Sequence, residues 1–316
     1  MSASEESGTV VDSERGSEQR AVFVLPHVFR DDAREFTRQA AEGLVARGVE
    51  VLMRAEDAAI VDSVAVTAVD SDDAVSDCEL VMTFGGDGTI LRGAELARGH
   101  DIPLLGVNLG HMGFLAESEP EDLPSVIAAV VNRDYAVEYR LAVDLTLVTA
   151  DNERISGWAL NDVSLEKSSR ARMIEVMVAV DDQPLSTWAC DGVVCSTPTG
   201  STAYAWSAGG PVVWPDVEAL LVVPISAHAL FSRPLVISPS SEIDIELTAD
   251  SPPAIMWCDG RRLIEVPSGS RIEIRRSAEP VALARVHPDR FSDRLVAKFA
   301  LPVSGWRGRR DPGGTQ

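Results

Sequence analysis

Glu79-Leu80-Val81-Met82-Thr83-Phe84-Gly85-Gly86-Asp87-Gly88-Thr89 is an apolar run that ends in three glycines around one aspartate, and a helix-period stretch from Ile90 to Arg98 follows it. A short apolar run without alternation suits a strand buried on both faces, as in parallel sheets. Upstream lie a second apolar run, Ala21 to Leu25, then a helical stripe of Ala33, Phe36, Ala40 and Leu44, then Val51 to Met53. Downstream come Pro103 to Val107, ending at Asn108-Leu109-Gly110, and a helix through Leu123 to Val131. Strands alternating with amphipathic helices predict an α/β domain with a mostly parallel sheet covered on both faces.

The pattern changes near Tyr135. Ile243, Ile245 and Leu247 alternate with Glu242, Asp244 and Glu246, and Ile272 and Ile274 alternate with Arg271, Glu273 and Arg275. A period of two with one polar face predicts antiparallel strands, so the second half is expected to be largely β, with a boundary near residue 135. Residues 1–19 are acidic and serine-rich, and residues 305–316 are rich in glycine and arginine; both are set aside as tails that cannot bury enough apolar surface to order.

The chain has 316 residues, 49 of them acidic and 28 basic, giving a formal charge of -21. Such a charge repels a nucleic-acid backbone and excludes general DNA or RNA binding. No window approaches a membrane-spanning apolar length, and Met1 to Gln19 is neither a signal nor a presequence, so a cytoplasmic protein is expected. Cys78, Cys190, Cys195 and Cys258 lack metal-ligand or redox spacing and read as buried free thiols. Lys167 and Lys298 are the only lysines. A P-loop needs a lysine after its final glycine, and neither lysine follows a glycine-rich loop, so that motif is absent.

Glycines let a backbone approach a bulky anion, and amides at a helix N-terminus carry partial positive charge, so Gly85, Gly86, Gly88 and Thr89 form a candidate phosphate cradle. Asp87 then has two readings. It is either a helix cap in ordinary Asp-Gly turn chemistry, or a functional carboxylate that takes a proton from an attacking hydroxyl or holds a divalent metal. A second feature, Asp191-Gly192-Val193-Val194-Cys195-Ser196-Thr197-Pro198-Thr199-Gly200-Ser201-Thr202-Ala203-Tyr204, packs five small hydroxyl residues behind an apolar run. That composition suits a polyhydroxylated, phosphorylated ligand, although a tight structural loop has the same composition. A third, Leu160-Asn161-Asp162-Val163, puts an amide and a carboxylate into an apolar strand, where they need internal partners or a ligand.

These stretches, together with Gly106-Val107-Asn108-Leu109-Gly110-His111-Met112-Gly113-Phe114-Leu115, resemble the NAD kinase family in its bacterial, ATP- or polyphosphate-dependent form. The resemblance runs from about Ala21 to Leu301 in the family's order. The glycine-aspartate element alone is shared with lipid kinases. Its combination with Asn161-Asp162 and the Thr-Pro-Thr-Gly-Ser-Thr-Ala-Tyr stretch is specific.

The resemblance implies a Rossmann-like N-terminal domain of NAD kinase type and a largely antiparallel, β-sandwich-like second domain. In residue terms it implies an α/β domain over 20–134 and 285–304, the C-terminal piece returning to the first domain, and a β-rich NAD-binding domain over 135–284. It makes Asp87 the general base toward the 2′-hydroxyl of the adenosine ribose, with Gly88 beside it and Arg92 one helical turn on. Asn161 and Asp162 match the pair that holds the adenine and ribose end, Asp162 standing where relatives often have Glu. Asp191 matches a carboxylate on the nicotinamide side. Thr199 and Thr202, Ala203, Tyr204, Ala205, Trp206 and Ser207 match the loop against the adenosine. Arg172 and Arg261 align with variable contact positions, and Met112 and Phe114 with the pocket wall. A divalent metal, Mg²⁺ by preference, ATP or polyphosphate as donor, and a homo-oligomer, dimer or tetramer, complete what the family implies.

Two alternatives belong beside this reading: a lipid or nucleoside kinase sharing the glycine motif, and a non-catalytic dinucleotide sensor. The five histidines show no ligand spacing, and only His111 and His228 lie near ligand-like loops. The tryptophans read as core, Trp206 excepted.

Overall fold

The computed structural model describes residues 20–63, 65–108, 113–116, 122–170, 172–286 and 290–303. Met112 and His111 lie outside them. The first half runs β1 (Ala21–Pro26), α1 (Asp31–Val45), β2 (Glu50–Arg54), α2 (Ala55–Val61), β3 (Thr67–Val69) and β4 (Leu80–Phe84). It continues with α3 (Asp87–Ala97), β5 (Leu104–Val107), α4 (Leu123–Asn132) and β6 (Ala136–Arg140). The second half opens with β7 (Val143–Val148), β8 (Arg154–Ala159), β9 (Asp162–Lys167), β10 (Ile174–Val180), β11 (Gln183–Cys190) and β12 (Gly192–Ser196). Then come α5 (Tyr204–Ser207), β13 (Leu220–Ile225), β14 (Leu235–Ile237), β15 (Ile243–Leu247), β16 (Ala254–Cys258), β17 (Arg262–Val266) and β18 (Arg271–Arg276). The chain closes with β19 (Val281–Arg285) and α6 (Phe291–Phe299).

Seven strands form the first sheet in the order β3-β2-β1-β4-β5-β19-β6. Its pairs are parallel except β6 with β19. Strands β1, β4 and β5 are buried along their whole length, which is why they read as continuous apolar runs rather than as alternation. Helices α1 and α4 cover one face, with Leu44, Val126 and Val130 against Val22, Val24 and Leu105. Helix α3 covers the other with Ile90, Leu91 and Ala94, joined there by Leu160 from the second half.

Two six-stranded antiparallel sheets make up the second half, ordered β11-β10-β15-β18-β7-β8 and β14-β13-β12-β9-β16-β17. Leu145, Val176, Ile245 and Ile274 of one meet Val163, Leu165, Val193 and Met256 of the other in one apolar core with Trp188, as in a sandwich. All four cysteines are buried and unpaired, and burial pushes the Cys195 thiol up to about 12.

The expected boundaries at 134/135 and 284/285 need correction. Strands β6 and β19 both belong to the first sheet, so the crossings fall at 141–142 and 277–280. β6 is an edge strand with mostly exposed residues and no apolar alternation, which hid it. β19 is buried like β1, and enters the sheet between β5 and β6.

Candidate active site

Strand β4 delivers the chain to Gly85 and α3 begins at Asp87, with Gly86 in the capping position in extended conformation. No side chain caps α3. The Asp87 carboxylate instead accepts N–H from Phe114 at 3.2 Å and from Leu115 at 3.1 Å. The cap reading of Asp87 therefore fails: its oxygens face a neighbouring turn, not its own helix. Close packing fixes two glycines here. A Cβ at Gly85 would fall 2.3 Å from the Thr89 hydroxyl, and one at Gly113 would fall 2.2 Å from Asp87 Oδ1. At Gly86 and Gly88 it would meet nothing within 4 Å among the described residues, which leaves that side of the helix N-terminus clear of them, as an anion cradle requires. Arg92 is half-buried one turn on, close enough to oppose the upward push that burial gives the Asp57 carboxyl.

The second cluster is built on the β8–β9 junction. Asp259, in the turn between β16 and β17, accepts N–H from Asn161 at 2.7 Å, Leu160 at 3.1 Å and Asp162 at 3.4 Å, and pairs with Arg262 at 2.7 Å. Sequence reading missed this clamp. Its signal was the Asp259-Gly260 dipeptide, whose two positive φ angles, 55° and 63°, are those of a tight hairpin turn. Thr197 secures the same segment, its hydroxyl donating to the Leu160 carbonyl at 2.6 Å and its N–H to the Asn161 carbonyl at 2.9 Å. Gly200 lies so close that a Cβ would stand 2.0 Å from the Asn161 oxygen.

Of the five small hydroxyl residues, Ser196, Thr197 and Ser201 bond to backbone, to Asn161, Leu160 and Val213. The loop's hydroxyl density is thus in large part structural. Thr199 is buried and Thr202 half-buried in the one-turn helix Thr199–Thr202.

What this scaffold holds out is Asn161 and Asp162. Asn161 Oδ1 is buried with no hydrogen-bond partner. The Asp162 carboxyl is pushed up to about 7, first by burial, then by the Asp259 charge, with the Tyr204 N–H acting against both. Tyr204 stands among carboxylates as well: burial, then Glu166, Asp162 and Asp191, push its phenol up. Asp191 pairs with Lys167 at 2.5 Å, which gives one of the two lysines a place at the rim.

Helix α6 joins the two clusters. The Phe299 ring lies 5.8 Å from Phe114 and 4.7 Å from Trp206 between centroids, and Phe291 lies 5.8 Å from Phe114 and 5.1 Å from Trp214. Phe114 is in the turn that holds Asp87, and Trp206 is on α5 beside Tyr204, so one aromatic chain spans both loops. Ala205, by contrast, is core against Val194 and Leu221, and Ala203 and Ser207 flank it at the ends of α5. Arg261 bonds to Glu95 of α3 at 3.3 Å, and Arg172 is exposed without a described contact at the site. Arg261 thus joins the Asp259 turn to the helix of Asp87, and Arg172 is not gathered with the other described site residues.

Residues 27–135 match the ATP-NAD kinase N-terminal domain, and residues 160–286 match the ATP-NAD kinase C-terminal domain. The chain belongs to the NAD kinase family. NAD kinase 2 of Streptomyces avermitilis is 50% identical over 292 residues, covering 92% of this chain and 97% of that one. The crystal structure of yeast NADH kinase complexed with NADH superposes with a TM-score of 0.82 at 24% identity over 92% of this chain and 90% of that one, a likeness of fold. An NAD kinase from Archaeoglobus fulgidus in complex with ATP gives 0.70 at 26% identity, covering 89% and 99%. Both NAD kinase domains are thus present, and Asp87 lies in the first matched stretch, Asn161 and Asp162 in the second. The protein is an enzyme of the phosphotransferase class.

Proposed function

We propose that the protein transfers the terminal phosphoryl group of ATP to the 2′-hydroxyl of the adenosine ribose of NAD, giving NADP, with Asp87 as the base. The observation that carries this is the Asp87 carboxylate, held by the Phe114 and Leu115 amides at the open N-terminus of α3. A ribose hydroxyl is a poor nucleophile at neutral pH, so a carboxylate must take its proton as the oxygen attacks. The new bond joins the 2′-oxygen to phosphorus, the bond from phosphorus to the departing ADP breaks, and the proton resides on Asp87. Two fixed amide donors orient the carboxylate. The α3 amides stabilise charge on the transferred group.

Asn161 Oδ1, an acceptor without a partner, suits the amino edge of adenine, and Asp162 suits the adenosine hydroxyls, which it can meet as donor or acceptor on either side of pH 7. Thr199, Thr202, Tyr204 and Trp206 would line the same end, and Asp191 the nicotinamide side. Mg²⁺ takes oxygen ligands, commonly one or two carboxylates and substrate phosphates, and because no group of three or more His, Cys, Asp or Glu that could hold it gathers among the described residues, a bound ion would take most of its ligands from the phosphates at the junction. Bound there it would neutralise charge on the phosphates. Polyphosphate as an alternative donor, a cytoplasmic location and a homo-oligomer are part of the proposal by family resemblance, and sedimentation with and without NAD tests the last.

Replacing Asp87 by Asn keeps the size and one acceptor oxygen but removes the base. NADP formation, followed with an NADP-specific dehydrogenase, should fall by about 10²–10⁴ in kcat while KM for NAD stays within a few-fold. Turnover near wild type in Asp87→Asn would remove the assignment.

A further inference from the structure

Between the β6–β19 edge of the first sheet and α6 lies a cavity of about 600 Å³. Arg140, Arg285, Arg290 and Arg294 line it, against two carboxylates, Glu138 and Asp216. Among the described residues the lining thus gathers four arginines and two carboxylates inside a chain of formal charge -21. The arginines are placed by structure. Glu138 accepts from Arg140 at 2.9 Å and from Arg285 at 2.8 Å, so one carboxylate serves two guanidinium groups. Arg140 is 6% exposed and its Nε is buried with no hydrogen-bond partner. Burial first, then the like charge of Arg285, push its guanidinium down, with Arg294 adding to the effect. A buried guanidinium with an unmatched N–H and like-charged neighbours is costly unless an anion completes it.

Trp214, Phe114 and Phe291 wall the same cavity. Its arginines also reach the turn that holds the catalytic carboxylate. Arg294 donates to the Phe114 carbonyl at 3.1 Å and Arg285 to the Leu115 carbonyl at 3.2 Å. The N–H groups of those two residues are the ones that hold Asp87.

We propose that this cavity is an anion site, separate from the Asp87 junction, that takes a chain of phosphate groups, and that its occupancy is transmitted to Asp87 through the Phe114-Leu115 turn. Guanidinium groups at four places around the cavity suit several linked oxyanions rather than one, because each can meet an oxyanion with N–H groups in its plane. The phosphate chain has two sources, an inorganic polyphosphate or a nucleotide. A bound anion draws on the same guanidinium groups that hold the two carbonyls, which links the site to the geometry of the base.

The test is a calorimetric titration of the full-length protein with inorganic triphosphate, without Mg²⁺, comparing wild type, Arg290→Gln, Arg140→Met and Arg47→Gln. Arg290 is exposed at the start of α6, so its loss leaves the fold intact, which a thermal melt checks. Arg47 is an exposed arginine just after α1 and matches the change in net charge away from the cavity. The expected result is saturable binding to wild type, weakened at least tenfold in Arg290→Gln and in Arg140→Met if that variant folds, and kept within twofold in Arg47→Gln. A parallel ATP titration separates the sources. Affinity at the Arg290-sensitive site equal to that of triphosphate assigns the phosphate chain alone, and tighter binding assigns a nucleotide. No triphosphate binding to wild type, or binding in Arg290→Gln within twofold of wild type, would overturn the proposal, and neither result bears on phosphoryl transfer at Asp87.

Discussion

A Cβ at position 200 would stand 2.0 Å from the Asn161 oxygen and 2.3 Å from its carbonyl carbon, and both are backbone atoms pinned by Asp259 and Thr197. Nothing there is the free end of a flexible side chain, so Gly200→Ala must displace the Asn161-Asp162 segment. Overpacking of this kind costs about 1–3 kcal/mol, and the rigid partner puts it at the upper end. Urea unfolding should show that loss, and KM for NAD should rise along with it. Asp162 gives a second test at the same place. Its folded carboxyl, at about 7, titrates above its ordinary value of 3.8. The contribution of the protonated form to stability is therefore complete below about pH 4 and is lost as pH rises through 7. Asp162→Asn does not titrate, so its melting temperature should match wild type near pH 4, exceed it increasingly up to about pH 7, and keep a constant lead above. A constant difference from pH 4 to pH 8 would refute the shift. Asn161 and Asp162 stood out in the sequence because polar groups in an apolar strand need an explanation. Asp259, which pins the backbone of both, is 97 positions from Asp162, and only folding brings them together.

Helix α6 shows what one short element can hold. Its nine residues place Phe291 and Phe299 two turns apart on one face, where they contact Phe114, Trp206 and Trp214. Buried Arg294 fixes the same face to the Phe114 carbonyl. The sequence marked this segment as a returning piece, yet the partners of its aromatic residues were not legible, because ring contacts join positions 114, 206 and 299 by tertiary packing alone. Phe299→Ala removes two ring contacts from a half-buried site, a loss of about 1–3 kcal/mol in the docking of α6 rather than in the fold as a whole. Amide hydrogen exchange should quicken in 291–299 and 113–116, with the sandwich strands unchanged. KM for NAD should rise and kcat should fall with it, since the lost contacts border both the Trp206 loop and the Phe114 turn that holds Asp87.

At the scale of the molecule the two halves are interleaved. The chain leaves the first sheet after β6, builds the sandwich, and returns as β19 between β5 and β6. Composition and periodicity separated an α/β half from a β half, but sheet order carries no local signal: β19 is a buried apolar run like any other, and β6 an exposed edge. The placement has a consequence for folding. A fragment of residues 20–134 holds β1 to β5 and every helix before β6, and looks complete from sequence. It lacks β19, so the edge of β5, whose four residues are all buried in the full chain, would be bare, and Leu104 would lose its partner Leu283. It also lacks Leu160, which packs with Ile90 and Leu91 over α3. An unpaired, fully apolar edge is an aggregation site, and the lost burial removes much of the small margin that a domain of this size possesses. The fragment should therefore give no cooperative thermal transition and should sediment as aggregate, whereas the full chain folds. Extending it to residue 140 restores β6 without the strand that joins it to β5, and should not rescue folding. Co-expression of 20–140 with 141–303 supplies β19 in trans and should return soluble protein. A 20–134 fragment that unfolds cooperatively as a monomer would mean that β19 adds only at the edge of a domain already stable without it.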